Sequence, residues 1–384
     1  MIFSMKANNP QNINGNNPKK FHVWDFPDTL FLLFSPEGNE YFFSKMYYAF
    51  GSQKSFAEYL GKWRQEVNKY HKQSQLNKGQ RYPVYFPLNL FKKCVRFFDM
   101  ERLHYLESNI SEIRANVGLS IYSPKLPIIE NSALYRIIAH ILADGFAGKG
   151  KTPYYANMSS TLRNQFKKDL EIFGKMKIYE RIPNTTPIVC FPKTVSDILA
   201  HLFDVQFTHP NRVPESIFSA SSKCRSSFLR AIFDDEGSIS VGLTVTIHNY
   251  VIMRQIKRLL TMFDIKSSKV MIHINIEQTD KIYLQVLRKS FESFRKHIGF
   301  NHPEKAAKLN FAIKTKGRKT RTRHPLYFEQ RILEILETSP SHTIDIANEL
   351  LLTYTGLMPH LERMLDEGLL VKRGYSNRVL WDLA

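Results

Sequence analysis

The sequence predicts an α+β fold organised by an internal duplication, and three observations carry that expectation. Two stretches share one internal pattern: Ile137-Ile138-Ala139-His140-Ile141-Leu142-Ala143-Asp144-Gly145 and Leu229-Arg230-Ala231-Ile232-Phe233-Asp234-Asp235-Glu236-Gly237. Each is an apolar run of helical period that ends in a carboxylate followed at once by glycine, with an alanine, Ala139 or Ala231, five residues before the acid. After each copy, short strand patterns alternate with amphipathic helix patterns. Finally, the 384 residues carry 54 Lys plus Arg against 35 Asp plus Glu, a formal charge of +19.

The paired acids are the informative part. A carboxylate in the last turn of a helix faces the negative end of the macrodipole and costs roughly 0.3–1 kcal/mol, so local stability does not explain its recurrence. The glycine is expected to supply a left-handed residue that closes the helix. If the two helices lie side by side, the alanines permit close approach, and Asp144 and Glu236 arrive at one edge of the interface. Two carboxylates there would suit a divalent metal.

Length and charge narrow the class. A chain of this length suggests two or three domains of about 100–200 residues each. The positive charge points to a polyanion, either nucleic acid or an anionic membrane surface. With no apolar run of about 18 residues and no signal-peptide pattern, nucleic acid is the expected partner. Cys94, Cys190 and Cys224 are odd in number and widely spaced, which fits reduced, buried thiols in an intracellular protein rather than a zinc or redox motif.

Taken in order, residues 1–20 are rich in Asn, Pro and Gly and are expected to form a flexible tail. Residues 21–130 follow as an N-terminal region. Ser52 to Leu60 reads as a helix with Ser52 as N-cap and Gly61 at its end, and a second helix runs from about Trp63 to Tyr70. Ala57, four residues before Gly61, gives the spacing of a helix-turn-helix, and Lys62, Arg64, Lys69 and Lys72 favour DNA over an ordinary helical hairpin. Phe91 to Arg114 reads as a helical bridge, and Pro124 and Pro127 mark the boundary before the first duplicated helix.

In the first copy, Tyr154–Ser159 and Ile188–Phe191 read as strands, and Leu162–Phe173 and Val195–Phe203 as helices. In the second, Ser238–His248 alternates Ile239, Val241, Leu243, Val245 and Ile247 with Ser238, Ser240, Thr244, Thr246 and His248, a strand with one buried and one wet face. A helix over Tyr250–Phe263, a strand over Val270–Glu277 and a helix over Lys281–Ile298 complete it. Lys314 to Arg323 is a basic linker. Beyond it, Tyr327–Glu337, Thr343–Leu350 and Gly356–Glu367 read as helices, followed by a hairpin with Lys372, Arg373 and Arg378 about its turn. Three helices and a basic hairpin resemble a winged helix over 326–384.

The pair of motifs, 92 residues apart, resembles the duplicated motif of the LAGLIDADG homing endonucleases. The second copy is the closer match; the first has Leu142 where the motif often has an acid, and His140 and Arg230 are atypical. The resemblance covers about 131–313, as repeats of about 131–225 and 226–313, and implies a duplicated αββαββα saddle whose sheets lie in the major groove of double-stranded DNA. It further implies that Asp144 and Glu236 are the catalytic acids and hold Mg2+, and that Lys193 and Lys281 occupy a basic catalytic position. Ser240, Thr244, Thr246 and His248 would read DNA, and Lys372, Arg373 and Arg378 would track phosphates. Both motifs on one chain imply a monomer. The chain ends lack a nucleophilic first residue or a terminal asparagine, so a free-standing enzyme is expected. A DNA-binding regulator that has lost cleavage is the alternative.

A second motif overlaps the first. Gly145-Phe146-Ala147-Gly148-Lys149-Gly150-Lys151-Thr152 satisfies G-x-x-x-x-G-K-[ST], the phosphate loop of ATPases, and Ile232-Phe233-Asp234-Asp235-Glu236 would be the acidic strand that holds magnesium in such enzymes. That loop must follow a strand and open a helix. Here a helix pattern precedes it and strand-forming residues follow, which disfavours an ATPase. No H-E-x-x-H or G-x-S-x-G pattern is present.

Overall fold

The computed structural model describes residues 18–72, 83–148, 150–183, 185–239, 242–273, 281–314, 325–350, 352–374 and 379–384. The N-terminal region is mixed rather than purely helical. It contains β1 (Lys20–Phe21), β2 (Phe31–Phe34), α1 (Pro36–Phe50), α2 (Gln53–Leu60), α3 (Arg64–His71), β3 (Phe86–Pro87) and α4 (Leu88–Cys94). It continues with α5 (Met100–Ser108), β4 (Ile110–Arg114), β5 (Ile121–Tyr122) and β6 (Ile128–Ile129). Local chemistry sets α2: the Ser52 hydroxyl accepts from the Ser55 N–H, and Gly61 closes the helix at φ 68°. The expected single helix over 91–114 is broken. Asp99 starts α5 afresh by accepting the Arg102 N–H at 2.9 Å, and Ile110–Arg114 pairs with β2 as a strand. Phe34, Phe42, Phe43, Phe56, Phe86 and Phe91 fill the core of this region.

The central region repeats one plan. Its first half is α6 (Ser132–Asp144), β7 (Gly145–Phe146), β8 (Tyr154–Ala156), α7 (Ser160–Leu170), β9 (Lys175–Met176), β10 (Tyr179–Arg181), β11 (Ile188–Cys190) and α8 (Lys193–Phe203). After α9 (Ser216–Ser219), the second half is α10 (Ser222–Glu236), β12 (Gly237–Ile239), β13 (Leu243–Thr246), α11 (Tyr250–Thr261), β14 (Met271–His273), β15 (Lys281–Val286) and α12 (Phe291–His297). The antiparallel sheets run β7-β8-β11-β10 and β12-β13-β15-β14, the same first-second-fourth-third order in both. The short β9 leaves this plan and pairs with β5, tying the first half to the N-terminal five-stranded sheet.

Two expectations in the second half are corrected. Ser238–His248 is a hairpin, not one strand, with Ile239 paired to Leu243 and Gly237 to Val245. Partners across an antiparallel pair share a face, so Ile239 and Leu243 stay in one apolar alternation, and periodicity alone does not separate the two strands. Lys281 does not open a helix. Lys281–Val286 is strand β15, with Ile282, Leu284 and Val286 buried in alternation, and the helix begins only at Phe291.

The C-terminal region comprises α13 (Pro303–Lys314), α14 (Pro325–Thr338), β16 (Ser341–His342), α15 (Thr343–Glu349), α16 (Tyr354–Asp366), β17 (Leu370–Arg373) and β18 (Leu380–Leu383). Its last three strands form an antiparallel sheet in the order β16-β18-β17. Trp381, 1% exposed, anchors a separate small core and donates from Nε1 to Thr343 Oγ1 at 2.9 Å. The basic stretch 315–323 lies outside the described residues, as do residues 1–17. Among the described residues no helix is long and apolar enough to cross a membrane.

Candidate active site

The two duplicated helices, α6 and α10, pack directly on each other, with Ala139 and Ala231 fully buried. Asp144 is the last residue of α6 and Glu236 the last of α10. The glycines that follow are not left-handed. Gly145 (φ −102°, ψ 170°) and Gly237 (φ −80°, ψ 146°) are extended and lead straight into β7 and β12. Their requirement is space: a Cβ at Gly145 would stand 2.4 Å from Ile141 Cα, and one at Gly237 would stand 2.3 Å from the Phe233 carbonyl oxygen. The turn from helix to strand is thus too tight for any side chain.

Beneath the acids lies a polar network. His140 Nδ1 and Asp235 Oδ2 are 2.7 Å apart, with both side chains sealed from solvent. Tyr155 donates its hydroxyl to Asp235 Oδ1 at 2.7 Å. Asn157 donates from Nδ2 to Asp235 Oδ1 at 3.1 Å and to Asp144 Oδ2 at 3.4 Å. Its orientation is fixed by its other end, because Oδ1 accepts the Ser159 N–H at 2.9 Å, leaving only the amino group to face the carboxylates. Asn157 therefore bridges the first half's acid to the residue before the second half's acid. Asp234 points elsewhere and accepts the backbone N–H groups of Asn301 and His302 at 2.9 and 3.0 Å.

A cation reaches the site from α13, the helix that follows the second half. Lys305, on α13, donates from Nζ to the carbonyls of Phe233 (3.3 Å), Asp234 and Asp235 (3.2 Å), the last turn of α10. It thereby satisfies helix-terminal carbonyls and opposes the dipole that the acids aggravate. Burial raises the Glu236 carboxyl to about 8, with Asp144 and Asp235 adding to the rise. Burial likewise raises Asp144 to about 6, reinforced by Asp235. Burial lowers the Lys305 ammonium, while Asp235, Asp234, Asp144 and Glu236 push it back up. Burial also opposes charge on His140, yet its Asp235 partner wins and its pKa is raised.

The other expected residues are dispersed. Lys193 opens α8, is ion-paired with Asp197, and lines a cleft of about 1210 Å³ shared with Lys151 and Thr152. Lys281 is exposed in β15, opposite His273. Thr244 and Thr246 face away from the buried Leu243 and Val245, on the wetter side of β13. His248 joins Glu236, His209 and Ile247 around a cavity of about 370 Å³. Lys372 lies over the Trp381 ring at 5.9 Å, and Arg373 pairs with Asp382 at 3.0 Å. Ser240 and Arg378 lie outside the described residues. Tyr155, Asn157 and Lys305 were not singled out from sequence; only the adjacent Asp234-Asp235 was visible there.

The phosphate-loop reading has no structural context. Its Gly145 and Phe146 form β7, directly after helix α6, and Lys151 and Thr152 lead into strand β8 rather than a helix. As for metal, no group of three or more His, Cys, Asp or Glu among the described residues is arranged to hold an ion. Asp144 and Glu236 supply two partly buried carboxylates whose raised proton affinity a dication would relieve. Hard cations such as Mg2+ use few protein carboxylates and retain waters, so the donor set fits.

No family model matches the chain. Among curated proteins, it is 26% identical over 292 residues to the glutamine–fructose-6-phosphate aminotransferase of Methanocaldococcus jannaschii, covering 71% of this chain and 26% of that protein. It is 29% identical over 200 residues to the probable translation initiation factor IF-2 of Thermococcus kodakarensis, covering 49% of this chain and 16% of that protein. It is 28% identical over 174 residues to elongation factor 2 of Methanopyrus kandleri, covering 44% of this chain and 13% of that protein. The chain thus spans about a quarter or less of the length of these relatives. Among solved structures, the homing endonuclease I-DmoI in complex with DNA and Mn is similar at a TM-score of 0.34 and 14% identity, over 44% of this chain and 96% of that one. Full-length DUF199/WhiA from Thermatoga maritima is similar at a TM-score of 0.35 and 14% identity, over 62% of this chain and 90% of that one.

Proposed function

We propose that this chain is a metal-dependent DNA endonuclease of homing type, with Asp144 and Glu236 as its two catalytic acids. The observation that carries the reading is their relationship: each ends one of two packed, duplicated helices, and burial raises the proton affinity of Glu236, with Asp144 adding to the rise. Such mutual repulsion is costly unless a cation shares the site. Mg2+ held by these carboxylates would supply an activated water and stabilise a leaving oxygen. The chain's own contribution is to hold the carboxylates still. Asn157 fixes Asp144, the His140–Asp235–Tyr155 network fixes the base of Glu236, and the tight glycine turns set where each helix stops.

Supporting features lie around this centre. The wetter face of β13 presents Thr244 and Thr246 for base contact, and the C-terminal helices and sheet suit a winged helix whose Lys372 and Arg373 meet phosphates. The three curated relatives carry three different names, yet each shares a stretch of this chain. A passenger segment independent of its host's activity would behave in that way. A second reading, a DNA-binding regulator without cleavage, is favoured by Lys305, whose buried ammonium is bonded to the carbonyls just before Glu236 and is attracted by Asp235, Asp234, Asp144 and Glu236.

Incubating the full chain with Mg2+ and a pool of duplexes of random sequence, followed by sequencing of product ends, separates the two. Enrichment of cut ends within a shared sequence is the expected result. Retention of particular duplexes without any cut would establish the regulator.

A further inference from the structure

We propose that α2 and α3 form a second, separate reader of duplex DNA, with α3 lying in the major groove; this rests on the reading of the chain as a DNA-acting protein. The two eight-residue helices are joined by Gly61, Lys62 and Trp63. Gly61 takes φ 68°, and Lys62 donates its N–H back to the Ala57 carbonyl at 2.9 Å, so α2 closes and the chain turns away at once. A three-residue turn containing glycine is what brings a second helix across the first in a helix-turn-helix. Ala57, 2% exposed, keeps the crossing tight, and Val67 and Tyr70 bury the inner face of α3.

The outer face of α3 is the informative one. Arg64, Gln65, Lys69 and Lys72 are exposed and Asn68 is half-exposed along a single stripe. Arginine pairs with two acceptors on guanine, and asparagine and glutamine pair with adenine, in the major groove. The first turn of a recognition helix makes such contacts. Arg64 and Gln65 stand in that turn, where Arg64 makes a single hydrogen bond to Gln53 at 3.3 Å. Trp63, 84% exposed at the start of α3, offers an apolar surface that serves no fold. The acids beside α3 are engaged: Glu66 is occupied by Lys62 and the Tyr70 hydroxyl, both at 2.8 Å, and Glu40 on α1 by His71 at 2.9 Å, with Glu58 standing on α2. The stripe therefore meets a polyanion with positive charge and base-reading groups together. A solvated helix face would need neither the glutamine and asparagine alignment nor the exposed indole.

The test selects duplexes with a randomised centre on the full wild-type chain and on the Arg64→Ala/Asn68→Ala variant. Both residues are exposed or half-exposed, so an unchanged circular dichroism melt verifies folding. The wild type is expected to enrich two separated blocks of preferred bases. The variant is expected to lose preference in one block and to bind the best wild-type duplex about tenfold more weakly, with the other block and the Mg2+-dependent cut position unchanged. Identical blocks and affinities in both proteins would overturn the proposal while leaving the nuclease reading intact. Uniform weakening across all sequences would also overturn it, since that is the behaviour of phosphate contacts alone. Failure of the wild type to enrich any duplex would remove the DNA reading itself.

Discussion

Gly145 and Gly237 occupy equivalent positions, each pressed so closely onto the residue four places earlier that no Cβ fits, at 2.4 Å from Ile141 Cα and 2.3 Å from the Phe233 oxygen. The duplication therefore extends beyond the acids to the backbone that aims them. Gly145→Ala and Gly237→Ala should each destabilise the chain by about 1–3 kcal/mol through overpacking, despite allowed backbone angles. Equilibrium urea denaturation measures this, and neutral alanine variants would show that the turn has slack.

Asn157 touches acids belonging to both halves, and its amide cannot flip without losing the Ser159 bond. Asn157→Ala should lower the cleavage rate about 10- to 100-fold, the usual cost of removing a group that orients a metal ligand, while DNA affinity stays within about twofold. A parallel loss of affinity and rate would mean that Asn157 contacts DNA rather than positioning Asp144.

Lys305 caps the last turn of α10 with three carbonyl contacts. Lys305→Met removes charged hydrogen bonds and should cost about 2 kcal/mol of folding free energy. Differential scanning calorimetry is the check. An unchanged melting temperature would imply that water replaces the ammonium without loss.

The pH dependence follows from the acid cluster. Glu236 binds its proton up to about 8 in the folded chain, against an ordinary value of 4.5. Between those values the folded state holds more protons than the unfolded one, so the metal-free protein should lose stability as pH rises from about 5 to about 8. Glu236→Gln should flatten that slope, and Mg2+ should raise the melting temperature more at the upper end than at the lower. A wild-type slope of opposite sign would contradict the burial and crowding of these carboxyls.

What could be read from the sequence divides by the range of the interaction involved. Helix α2 was legible to the residue because Ser52 and Gly61 act on neighbours. The placement of Asp144 and Glu236 at two helix ends was legible because duplication repeats a local signal. The second-half hairpin was not, since pairing Ile239 with Leu243 preserves the alternation of a single strand. The reason for the glycines was misread: the sequence reports that a side chain is missing, not whether left-handed backbone or lack of space demands it. Lys305 was invisible because it reaches Asp235 across 70 residues from a helix that carries no motif. Lys193 and Lys281 were placed by analogy of position: Lys193 does open a helix, whereas Lys281 opens strand β15.

The most direct measurement compares Asp144→Asn and Glu236→Gln with the wild-type chain on one selected duplex, following binding and cleavage separately in Mg2+. Each variant keeps the shape and the basic surface and removes one negative ligand. Both should bind the duplex at least as tightly as the wild type, because a repulsive charge is gone, and neither should cut both strands. Undiminished double-strand cleavage by either variant would contradict the assignment of Asp144 and Glu236 as the catalytic pair.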